Sequence, residues 1–174
     1  SDRDNLPYAQ CELDWLPAFD ESIRRRLKRM NLTTKQARRE ALIFPLLDRI
    51  CDRLDCSLEI EYTVSASNGL KGSLDYYIPN PSHLLVVEAK QSDLTKGFTQ
   101  LAVELIALDR WIESQSPILY GAVSTGEIWR FGLYRPSAHH VVEYLPLHRV
   151  PQDLEFVTRT LMGILQGEAL RDDS

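Results

Sequence analysis

The 174 residues are 44% hydrophobic and 26% charged, enough for one domain with a substantial core. The net charge of −5 argues against a uniformly basic nucleic-acid coat. No apolar run reaches the roughly 18 residues of a membrane span, and no basic-then-apolar leader is visible.

Cys11, Cys51 and Cys56 are odd in number and lack C-x-x-C spacing, which speaks against a disulfide framework or a zinc knuckle. A reducing, cytoplasmic setting with no membrane partner is expected.

In chain order, residues 1–20, with Pro7 and Pro17, read as an N-terminal arm, and 21–174 as a single domain. From Ser22 to Arg39 the chain carries Arg24, Arg25, Arg26, Lys28, Arg29, Lys35, Arg38 and Arg39 with no acid, leaving −13 on the remainder. Such asymmetry predicts a basic, phosphate-contacting patch on an acidic body; a solvated helix face accounts for the same charges equally well. Thr33-Thr34 predicts the cap of a helix running to about Leu54, with an apolar stripe of Ala37, Ala41, Phe44, Leu47 and Cys51. Glu40 falls on that stripe, and Pro45 is expected to bend the helix.

Three strands are predicted next: Leu58–Ser65, Gly72–Ile78 after a turn at Asn68-Gly69, and Leu84–Ala89 after "PNP" at 79–81. The last is apolar almost throughout, as in a strand covered on both faces. Gly97–Glu113 reads as a buried helix. Ile118–Val123 and Glu127–Tyr134 read as a strand pair, His140–Leu145 as an edge strand, and Leu154–Leu165 as a closing helix. The expectation is an α/β domain with a mixed sheet of about five strands flanked by helices.

Charge in a buried strand is costly unless it is paired or binds a metal. Glu88 and Lys90, two apart, share a strand face, and pairing with the preceding strand brings Asp75 beside Glu88. Two carboxylates held together invite a divalent cation, and hard oxygen donors suit Mg2+ or Mn2+. Lys90 then stands near a metal-bound water or a phosphate oxygen. Gln100 and Glu104 add a polar pair, four apart, on an otherwise apolar helix. Asp75, Glu88, Lys90 and Gln100 together point to phosphodiester hydrolysis. Gly69, Lys71 and Gly72 do not form a P-loop; Lys71 is read either as a phosphate contact at the site mouth or as a solvated turn residue.

The order α-β-β-β-α-β, with Asp75, then Glu88-Ala89-Lys90, then Gln100, resembles the PD-(D/E)XK nuclease superfamily over about residues 33–135. "ARREALIFPLL" followed by "LVVEAK" also looks like nuclease domains of restriction systems. Leu74 departs from the family's Pro. The resemblance implies a restriction-endonuclease-like core and metal ligation by Asp75, Glu88 and the Ala89 carbonyl. It also implies a catalytic Lys90, with Glu40 and Gln100 as accessory site residues; in a slightly different register Thr34 or Lys35 takes the place of Glu40. The implied partner is DNA, with a homodimer suited to cutting two strands. The rivals are an RNA-directed nuclease and a non-catalytic nucleic-acid-binding or assembly module of the same fold.

Overall fold

In the computed structural model residues 6–65, 71–80 and 83–167 are described. Helix α1 spans Leu16–Arg29, with Pro17 in its first turn, where the missing N–H has no helical partner to lose. Leu6, Ala9, Leu13, Trp15 and Phe19 are buried in the same core as Ile23. The stretch read as an arm is therefore packed, and a boundary at residue 20 falls inside α1.

Helix α2 (Lys35–Arg38) is capped by Thr34, whose Oγ1 accepts from the Ala37 N–H at 3.0 Å. It widens into a π-helical turn at Arg39–Ile43 and continues as α3, Phe44–Leu54. Pro45 explains part of this geometry, because it offers no N–H to the Ala41 carbonyl four residues back. Arg26 Nη1 donates to that carbonyl instead, at 3.0 Å.

The strands are β1 (Glu59–Ser65), β2 (Lys71–Ile78), β3 (Leu85–Ala89), β4 (Leu119–Ser124), β5 (Ile128–Arg135), β6 (His140–Glu143) and β7 (His148–Arg149). They form one seven-stranded sheet among the described residues, in the order β1-β2-β3-β4-β5-β6, with β7 also on β5. The expected five or so strands undercount it, because β6 and the two-residue β7 pair with successive stretches of β5. The predicted Asn68-Gly69 turn and Pro81 lie outside the described residues.

Strands β3 and β4 run parallel, joined by the crossover helix α4, Leu94–Trp111; the other pairings are antiparallel. Phe98, Leu101, Leu105 and Leu108 of α4 bury one sheet face, against Val86 and Val123. Helices α1, α3 and α5 (Leu154–Gln166) bury the other, against Leu85, Val87 and Ala89. Helices on both faces leave β3 buried at every residue, which is why its sequence is apolar without alternation. No described helix is long and apolar enough to cross a membrane.

Candidate active site

The site lies where β2 and β3 part. Their ladder runs from Ile78↔Leu85 to Tyr76↔Val87 and then stops. Beyond it, side chains replace the backbone pairing. The Asp75 N–H donates to Glu88 Oε1 at 3.2 Å, and the Ala89 N–H donates to Asp75 Oδ2 at 2.9 Å. The two carboxyls are thus locked to each other's strand. Both are buried, Glu88 to 1% exposure.

Alternation along β3 turns Val86 and Glu88 toward α4 and Leu85, Val87 and Ala89 the other way. Glu88 accordingly meets α4. Gln100 Nε2 donates to Glu88 Oε2 at 3.3 Å and to Glu104 Oε1 at 3.0 Å. Lys90 Nζ donates to Gln100 Oε1 at 2.7 Å. The Lys90 stem crosses Gly97, where a Cβ would lie 2.8 Å from Lys90 Cγ and 2.8 Å from Val123 Cγ1. Burial, a hydrogen bond to Glu104 and the charges of Glu104 and Asp75 push the Glu88 carboxyl up to about 10. Burial also pushes Glu104 up. Burial and the neighbouring acids thus favour the protonated form of Glu88.

On the other side of Asp75 stand two cations from the helix before the sheet. Lys35 Nζ lies 2.9 Å from Asp75 Oδ1, and Arg39 Nη1 lies 3.6 Å from it. Arg39 also reaches Glu61 at 3.0 Å and the Tyr76 hydroxyl at 3.3 Å. Lys35 and Arg39 are four apart, one helical turn, so they share a face. That spacing was the available signal for their placement. Glu104 belongs to the same group of acids, and its signal was its position four residues after Gln100.

The structure brings Asp75, Glu88, Lys90 and Gln100 together. Glu40 stands apart: it is exposed and accepts from Gln36 at 3.0 Å, while Arg39 takes the inward direction. The π turn puts the helix out of phase with the 3.6-residue stripe on which Glu40 was placed. Arg24 and Arg25 are exposed and pair with Asp20 and Glu21 on α1. Lys28 and Arg29 are exposed near its end, and Lys71 is exposed at the start of β2. Arg26 is spent on the Ala41 carbonyl, and Arg38 on the Thr125 carbonyl and Glu127, each at 3.0 Å.

Does the site suit a divalent cation? The donors are hard oxygens, and burial raises both the Glu88 and the Glu104 carboxyl. Among the described residues, however, no three His, Cys, Asp or Glu side chains stand together as a metal-holding group. Both Asp75 oxygens are engaged, by Lys35 and by the Ala89 N–H. The donor set fits Mg2+ or Mn2+ in kind, with Lys35 holding the place a cation would take on Asp75. No protein-family model, curated protein or solved structure matches this chain.

Proposed function

We propose that the chain is a metal-dependent nuclease hydrolysing DNA phosphodiester bonds, on a core of restriction-endonuclease-like topology, β1-β2-β3-α4-β4. The observation that carries this reading is the junction itself. It holds two buried carboxyls on adjacent strands, a lysine two residues on, and a glutamine binding both Glu88 and Lys90. Asp75, Glu88 and the Ala89 carbonyl are the residues that would hold Mg2+ or Mn2+. When bound, the cation would supply an acidified water and screen the phosphodiester charge.

The remaining roles fall to the chain. Gln100 fixes Glu88 with its amide N–H and Lys90 with its carbonyl. Lys90, partly exposed, presents its ammonium to a water or to charge growing on the phosphate. Lys35, 42% exposed, can leave Asp75 and take a phosphate oxygen. A homodimer would place two such sites for two strands.

A second reading, a binding module without catalysis, is favoured by Lys35 and Arg39, which already neutralise Asp75. One assay separates the two. The protein is incubated with supercoiled plasmid, single-stranded DNA and RNA, in Mg2+, in Mn2+ and in chelator. Cleavage of DNA in metal alone, lost in Asp75→Ala, is the expected result. DNA retention without cleavage selects the module, and cleavage of RNA alone overturns the DNA assignment.

A further inference from the structure

A cavity of about 720 Å3 opens beside the end of β3, between the start of α4 and the loop that leads into α5. That volume lies in the usual range of small-molecule sites, about 300–1,000 Å3. Its wall carries Arg38, Arg130 and Arg149 against one acid, Glu127. In a chain of net charge −5 this wall is cationic. Arg38 Nη1 is held by Glu127 at 3.0 Å and Arg130 Nη1 by Glu143 at 2.9 Å. The Nε atoms of both are buried and have no hydrogen-bond partner. Leu94 and Thr95, which open α4, also line the cavity. Leu27, Ile128, Leu147 and Val150 add apolar lining.

We propose that this cavity binds a phosphate-bearing ligand of nucleotide size. Its phosphate sits on the Arg130 and Arg149 guanidinium groups, and its ring lies on the apolar lining. Guanidinium forks match phosphate oxygens, and the volume exceeds what bare phosphate fills. Asp75, Glu88 and Lys90 do not line the cavity, so the proposal stands whether or not the chain cleaves DNA. The nucleotide is either free or one unit of a strand.

Calorimetry on the full chain tests this with adenosine monophosphate, adenosine, inorganic phosphate, succinate and a 5′-phosphorylated trinucleotide. Adenosine monophosphate should bind, inorganic phosphate should compete with it, and adenosine should not bind. Arg130→Gln and Arg149→Gln should each weaken binding about tenfold. Arg149 is exposed, so its variant should fold as wild type does. Tighter binding of the trinucleotide assigns the cavity to a strand, and equal binding assigns it to a free nucleotide. Absence of binding by adenosine monophosphate, unchanged affinity in both variants, or equal binding of succinate overturns the proposal.

Discussion

Lys90 stands at the edge of the carboxylate site with its ammonium on Gln100, not on Glu88. Burial and the neighbouring acids favour the neutral form of Glu88, which does not need Lys90 for charge balance. Lys90→Ala should therefore melt within a few degrees of wild type, a surface-scale loss of about 0.5 kcal/mol. If Lys90 is catalytic, cleavage should fall by two or more orders of magnitude, about the share of a positioned acid–base group. Melting temperature against cleavage rate checks this, and a variant cutting at the wild-type rate returns Lys90 to a packing role.

Glu88 gives a second test at this scale. Its folded-state pKa is raised from 4.5 to about 10, so the folded protein holds a proton that the unfolded chain releases. The associated stability is complete at acid pH and is lost as pH rises toward about 10. Metal-free protein should melt progressively lower from about pH 5 to about pH 9, and Glu88→Gln should remove much of that slope. Some slope remains in the variant, since Glu104 is raised as well. A wild-type melting temperature that does not fall across this range would show that Glu88 is ionised in the fold.

At the scale of elements, the start of α4 and the end of β3 fit only because residue 97 is glycine. Alanine gains up to about 1 kcal/mol of helix propensity there. The new Cβ meets Lys90 and the fully buried Val123 at 2.8 Å, and overpacking of this kind costs about 1–3 kcal/mol. Gly97→Ala should be net destabilising and should also slow cleavage by displacing the Lys90 stem. Thermal melts and rates read the two effects separately.

The same elements show what was legible beforehand. Strands β2 and β3 and helix α4 were visible within three residues of their ends, because long apolar runs and turn residues mark them. The pairing of Asp75 with Glu88 followed from adjacency of consecutive strands. Two features were hidden by local chemistry. Pro17 reads as a breaker, yet the first turn of a helix accepts it. Glu40 reads as inward on a 3.6-residue period, yet the π turn over Arg39–Ile43 shifts the phase. No periodicity argument finds a two-residue strand such as β7, which exists by pairing with β5.

At the scale of the whole molecule, charge is uneven. Of the eight basic residues in 22–39, Lys35, Arg38 and Arg39 turn to acids of the fold, and Arg26 to a carbonyl. The exposed remainder, Arg24, Arg25, Lys28 and Arg29, lies on α1. The Arg24–Asp20 and Arg25–Glu21 pairs are exposed and four apart, worth about 0.3–0.5 kcal/mol each. Such pairs yield readily to phosphate. If α1 meets DNA, the double variant Arg24→Ala, Arg25→Ala should reduce the salt dependence of binding by about 0.9 in slope per lost contact. An unaltered slope in a salt titration places the DNA on another surface.

The reciprocal bonds where β2 and β3 part have one more consequence. The amide hydrogens of Asp75 and Ala89 are each held by a carboxyl of the opposite strand. Their exchange with deuterated solvent therefore follows the state of those two carboxyls, whereas amides inside the β2–β3 ladder follow strand opening. A cation or a substitution that takes a carboxyl away unlocks these two positions and leaves their neighbours as an internal clock. The protein thus has a built-in readout of its own site, one that needs no substrate.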